Sequence, residues 1–207
     1  MALPCGHRLV RIPCKSFDVF LRRLPMSAEP PTALAALLLS LLLSATVLTA
    51  ARAGEDWSAK DRTFREKIVE INQKTGARQI SVETLQKKLA AGERLVIFDV
   101  RELAEMQVSA LPGARLALPD EVQALPLNGI PANATVVTYC TVGYRSGKAA
   151  VILEKRLGRP VYNLDGGLIA WFNHGGQVVD PAGRPVDMID AWGPPWTSYV
   201  HPRPQMR

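Results

Sequence analysis

Beyond residue 53 the chain carries a single thiol. Of the three cysteines in its 207 residues, Cys5 and Cys14 lie near the N-terminus, and Cys140 stands alone in the rest. A disulfide framework and a multi-cysteine zinc site are therefore excluded for that part of the chain. A large excess of one charge is missing there too. Overall, 25 Lys and Arg outnumber 19 Asp and Glu, but six of those cations and two of the acids fall in the first 53 residues. From Gly54 onward 19 cations face 17 acids, a net +2. The high pI belongs largely to the N-terminal segment and makes no case for nucleic-acid binding. Internal repeats are also lacking, as are low-complexity runs after residue 53.

Charge is wholly missing from Pro30 to Ala51, and Ala33 to Ala50 consists only of Ala, Leu, Val, Ser and Thr. Arg22 and Arg23 precede this run and the small-x-small triplet Ala51-Arg52-Ala53 follows it, so residues 1–53 read as a secretory leader. The expected location is outside the cytoplasm, in a periplasm. The alternative is an uncleaved membrane anchor over residues 33–51, a run long enough for a hydrocarbon core of about 30 Å. Membrane contact is expected only if the leader is retained. A lone thiol sent to an oxidising compartment is either buried filler or has chemistry to perform.

The remaining 154 residues suit one domain with one core. Residues 54–78 carry Trp57, Phe64, Ile68 and Ile71 at helical spacing, predicting an amphipathic helix that stops at Gly76. The main domain is expected over residues 79–180. Ser81 reads as an N-cap and Gly92 as a stop, bracketing a helix. Arg94 to Phe98, ending in Asp99, and Ala134 to Tyr139 are apolar runs of strand length. Further strands are expected after the Leu111-Pro112-Gly113-Ala114 turn and at Val161 to Leu164. Helices are expected over Glu102–Gln107, over Ser146–Leu157 closed by Gly158, and after Asp165. Residues 119–133, with Pro126, Gly129 and Pro131, read as an irregular connection. Strands alternating with helices imply an α/β fold, an open and mainly parallel sheet covered on both faces. Residues 181–207 read as an irregular tail containing Pro and Trp, with Trp192 and Trp196 folding back on their own domain.

In such sheets ligands sit beyond the carboxyl ends of the strands, and Cys140 falls at one of those ends. Thr141, Val142, Gly143, Tyr144 and Arg145 must then turn tightly before Ser146 opens a helix. Gly143 relieves the steric penalty where that turn needs φ > 0. A tight loop feeding a helix start leaves backbone N–H groups free to converge on an anion, here the sulfur of Cys140 itself. Arg145 adds a permanent charge and a fork of donors for an oxyanion. Asp99 and Arg101, at the end of a neighbouring strand, are expected to brace the loop by hydrogen bonding. Trp171 reads as core packing and His174 as solvent-facing.

The loop Tyr139 to Ser146, "YCTVGYRS", resembles the active-site loop of the rhodanese sulfurtransferases, Cys-x-x-Gly-x-Arg followed by Ser or Thr. "FDVRELAE" (Phe98 to Glu105) resembles that family's Asp-Val-Arg-x-x-x-Glu segment, "LPGA" (Leu111 to Ala114) its Ile-Pro-Gly-Ala, and "VYNLDGGLIAW" (Val161 to Trp171) its closing Gly-Gly-x-x-x-Trp. One departure stands out: the family's Gly-His before Ile-Pro-Gly-Ala is Ser109-Ala110 here. The resemblance implies a rhodanese-like fold and a sulfane-sulfur relay. In it, Cys140 is the nucleophile and Thr141, Val142, Gly143, Tyr144, Arg145 and Ser146 form the substrate cradle. A donor such as thiosulfate would leave a persulfide on Cys140, and a thiophilic acceptor, cyanide or a small or protein thiol, would take the sulfur. No metal and no cofactor is implied, and the thiol is expected to be exposed because it must meet two substrates in turn. Neutral Thr141 and Val142, where many thiosulfate-using members carry a cation, leave open a persulfide carrier or sulfur-binding module with no turnover of its own. Four residues separate Cys140 from Arg145, where cysteine phosphatases have five. The narrower loop sets phosphatase or arsenate reductase chemistry behind sulfur transfer.

Overall fold

A computed structural model of the protein describes residues 58–194 and 196–202. The expected leader, its membrane-anchor alternative and Trp57 lie outside the described residues. Helix α1 (58–75) ends where Gly76 turns to φ 65. Its apolar residues Phe64 and Ile68 are buried, as the helical spacing predicts. There follow β1 (Arg78–Ile80), α2 (Val82–Ala90), β2 (Leu95–Asp99), α3 (Leu103–Val108), β3 (Arg115–Leu116), β4 (Thr135–Tyr139), α4 (Tyr144–Leu157), β5 (Val161–Leu164) and α5 (Gly167–Asn173). Ser81 caps α2 as expected, its hydroxyl accepting from the Thr84 N–H at 3.2 Å.

The main sheet has the order β1-β5-β4-β2-β3, and every pairing in it is parallel. Successive residues of its central strands face opposite sides. Ile97, Val137 and Tyr139 pack under α1, α2 and α5, while Val96, Phe98 and Val136 pack with Ala149, Ala150 and Leu153 of α4. The expected parallel sheet covered on both faces is thus what forms. Parallel pairing puts all strand ends on one edge, so Asp99, Cys140 and Asp165 leave the sheet on the same side.

Three local expectations change. β1 was not legible, because Arg78 and Gln79 are polar and its partner, β5, lies some eighty residues away in sequence. Helix α4 opens at Tyr144, two residues before Ser146, because Gly143 completes the turn alone at φ 102. The tail over residues 181–207 is not wholly irregular. Strands β6 (Val178–Val179) and β7 (Pro185–Val186) form an antiparallel hairpin, and Trp196–Tyr199 is a 3-10 turn. Among the described residues, no helix is long and apolar enough to cross a membrane.

Candidate active site

Strand β4 runs directly into Cys140. The peptide then turns through Thr141 and Val142 to Gly143, whose φ of 102 resists any side chain; a Cβ there would also come within 3.2 Å of the Asn163 amide nitrogen. In this conformation the Gly143 N–H donates to Cys140 Sγ at 3.2 Å. The sulfur thus meets an amide at the N-terminus of α4, where unpaired N–H groups and the helix dipole favour negative charge. Helix α5 holds the same loop from behind: the Leu168 N–H donates to the Cys140 carbonyl at 2.8 Å, and the Ile169 N–H to that of Thr141 at 3.1 Å. This close approach needs Gly167, where a Cβ would collide with both carbonyls.

Arg145 does turn towards the loop, but it does not face it alone. Its Nη1 and Nη2 donate to the two carboxylate oxygens of Glu105, each at 2.7 Å, and Nη2 also reaches the Thr141 hydroxyl at 3.1 Å. That hydroxyl in turn donates to Glu105 at 3.1 Å. Burial works against ionisation of both partners and is outweighed. Hydrogen bonds from Arg145 and from the Glu102 backbone hold the Glu105 carboxyl below the usual value. Glu105 and the Cys140 sulfur hold the Arg145 guanidinium above its own.

Asp99 and Arg101 are fully buried. Arg101 binds Asp99 through Nε at 2.9 Å and Nη2 at 2.6 Å, and it also donates to the Ser109 carbonyl at 2.6 Å. Asp99 accepts from the Tyr139 hydroxyl at 2.5 Å, and that oxygen accepts from the Leu111 N–H at 3.1 Å. The pair is thus hydrogen-bonded to the residue just before Cys140. Trp171 is core, its indole N–H bound to the Gln177 carbonyl at 2.8 Å, and His174 stands half exposed.

Two expectations fail on geometry. Ser146 does not open the helix, and its hydroxyl points away from the cradle, fully buried and donating to Asn163 Oδ1 at 2.6 Å. Nor is Cys140 open to solvent, with only 1% of its surface exposed. The tail folds back against its own domain, where Trp192 and Trp196 stand beside the loop. Ile71, Val142, Tyr144, Trp192 and Trp196, together with Cys140, Thr141 and Arg145, line a cavity of about 250 Å³.

Sequence reasoning assigned no role to Glu105 or Asn163. Glu105 closes the quoted "DVRELAE" segment, and it lies 40 residues from Arg145, so the chain pattern did not show the pairing. Asn163 was hidden in an apolar strand. Its amide donates to the Gly143 carbonyl and to Gln79, both at 3.1 Å, so a buried polar residue on β5 pins the turn. A larger cavity of about 340 Å³, near Asp61, Arg65 and His201, lies away from the thiol and draws on none of these residues.

Residues 81–174 match the family described as Rhodanese-like domain. A sulfurtransferase of Allochromatium vinosum is 39% identical over 106 residues, covering 51% of this chain and 97% of that protein. The probable adenylyltransferase/sulfurtransferase MoeZ of Mycobacterium tuberculosis is 30% identical over 93 residues, 44% of this chain and 24% of that one. A thiosulfate sulfurtransferase structure from Pseudomonas aeruginosa superposes with a TM-score of 0.50 at 22% identity, covering 58% of this chain and 23% of its own, a likeness of fold.

Proposed function

The chain belongs to the rhodanese-like domain family, and from that premise we propose that Cys140 is the nucleophile of a sulfane-sulfur transfer. Its thiolate attacks the outer sulfur of a donor, of which thiosulfate is the simplest. A new S–S bond makes a persulfide on Cys140, while the donor's S–S bond breaks and its electron pair leaves on sulfite. A thiophilic acceptor, cyanide or a thiol, then attacks the outer sulfur and releases the Cys140 thiolate. The proposed cycle uses neither metal nor organic cofactor, because the cysteine sulfur is itself the covalent carrier.

The observation that carries this reading is the Gly143 N–H aimed at Cys140 Sγ at 3.2 Å, at the start of α4. An amide and a helix N-terminus placed there stabilise charge on the attacking sulfur and on the persulfide that follows. Arg145 supplies positive charge beside them, tempered by Glu105. Thr141 serves by holding Arg145 and Glu105, and Val142 and Tyr144 shape the entrance. Asp99 and Arg101 are positioning residues that act through Tyr139.

The test is mass spectrometry after incubation with a sulfane donor. Cys140 should gain one sulfur, and cyanide should remove it as thiocyanate. Cys140→Ser should lose both steps and keep the fold; a Cys140→Ser protein that still makes thiocyanate overturns the assignment. Neutral Thr141 and Val142 in the middle of the loop favour one second reading, a persulfide carrier serving a partner protein. Wild-type protein that takes up sulfur but passes it to neither cyanide nor small thiols would select it.

A further inference from the structure

The cavity beside Cys140 bears on what the site accepts. The surface it presents is almost wholly apolar, although Arg145 and Thr141 are among its lining residues, and its two indoles come from the tail. Trp196 sits edge-on to Phe64 of α1, with ring centres 6.5 Å apart, and 6.1 Å from Tyr199. Trp192 adopts φ 58, a conformation that bulky residues rarely take, with its N–H held by Asp190 Oδ1 at 2.7 Å.

The cations that would meet a dianion are already engaged. Glu105 takes both prongs of Arg145, and Trp192 lies over the guanidinium at 5.7 Å. Lys148 lies 4.3 Å from the centre of the Tyr144 ring, and Lys74 pairs with Glu70 at 2.7 Å. Two negative charges in this cavity would lose water and gain little in return, whereas an apolar body would gain from burial.

We propose that the sulfur donor of this site carries an apolar organic group and at most one negative charge, the group seating against Trp192 and Trp196 while its sulfane sulfur meets Cys140. This deepens the reading of Cys140 as sulfur carrier and rests on it. With an organic thiosulfonate, R–SO2–S⁻, the Cys140 thiolate bonds to the terminal sulfur. The donor's S–S bond breaks, and its electron pair leaves on the sulfinate R–SO2⁻. The persulfide keeps the second negative charge, so no proton, oxidant or reductant is needed.

Three donors with the same reacting sulfur separate charge from apolar bulk: thiosulfate, methanethiosulfonate and benzenethiosulfonate. Wild-type kcat/KM should be highest for benzenethiosulfonate, by about tenfold or more over each of the others, as burial of an aromatic ring implies. Trp192→Ala and Trp196→Ala should each shrink the ratio of benzene to methane donor several-fold, and Trp196→Phe, which keeps an aromatic ring against Phe64 and Tyr199, should restore most of it. Binding of the product benzenesulfinate to Cys140→Ser, followed by tryptophan fluorescence, reads the same pocket without turnover and should be tighter than binding of sulfite. Thiosulfate as good a donor as benzenethiosulfonate, or a ratio unmoved by both Trp→Ala substitutions, would overturn the proposal and leave the role of Cys140 standing. Absence of sulfur on Cys140 with all three donors would overturn both.

Discussion

Glu105 and Arg145 form a two-pronged ion pair, 2.7 Å on each side, that ties α3 to the start of α4. The carboxylate is nearly buried and the guanidinium about one-quarter exposed. Removing one charge strands the other in a poorly hydrated place. Glu105→Gln, nearly isosteric, should therefore cost about 2–4 kcal/mol, the lower part of the range for breaking a buried pair plus an allowance for the exposed edge of Arg145. Urea unfolding measures it; a loss below about 0.5 kcal/mol would mean the pair behaves as a surface one.

The same pair sets an acid limit. The Glu105 carboxyl lies below its usual value of 4.5 in the folded chain, so the unfolded chain binds the proton more readily. Its contribution is complete above that usual value and drains away as the pH falls through the lowered folded one. Wild-type stability should fall with decreasing pH below about 4.5 more steeply than that of Glu105→Gln. Parallel acid titrations of the two proteins would show that this carboxyl is not the one responsible.

Gly167 should tolerate no side chain. Its φ is 58, and a Cβ would strike the backbone of Cys140 and Thr141. Gly183 has a similar φ of 78 but open space around it, so Gly183→Ala isolates the backbone cost, roughly 1 kcal/mol. Gly167→Ala should cost at least about 2 kcal/mol more, the scale of overpacking, and should impair sulfur uptake by displacing the cradle. Equal thermal shifts for the two variants would contradict this account of how α5 holds the loop.

Export is proposed from the uncharged run and the Ala51-Arg52-Ala53 triplet. N-terminal sequencing of the protein recovered outside the cytoplasm should begin near Gly54. Intact protein in the cytoplasmic fraction would refute export, and an intact membrane-bound form would select the anchor over residues 33–51.

Most of the architecture was legible because its signals are local. The apolar runs at Leu95–Asp99 and Thr135–Tyr139, the cap at Ser81 and the stops at Gly76 and Gly158 each depend on neighbours within a turn or two. The site was legible where the chain itself brings the groups together. Cys140, Gly143 and Arg145 span six residues, so one turn decides their meeting, and Asp99 and Arg101 are two residues apart. Ser146 misled because the helix was read to open there, whereas Gly143 ends the turn and the serine hydroxyl bonds Asn163.

The sequence by itself determined the parallel sheet, the lone thiol at its carboxyl edge, and the turn whose amide meets the sulfur, since strand periodicity and glycine stereochemistry act over short stretches. Tertiary structure alone decided three things. It joined Glu105 to Arg145 across 40 residues of chain, it pinned Gly143 through Asn163 on another strand, and it buried a thiol expected to be open, with Trp192 and Trp196 beside it. The reason is physical. Side-chain charge pairing, buried amides and the packing of Trp196 on Phe64 are set by distances in space, and spacing along the chain carries almost no trace of them.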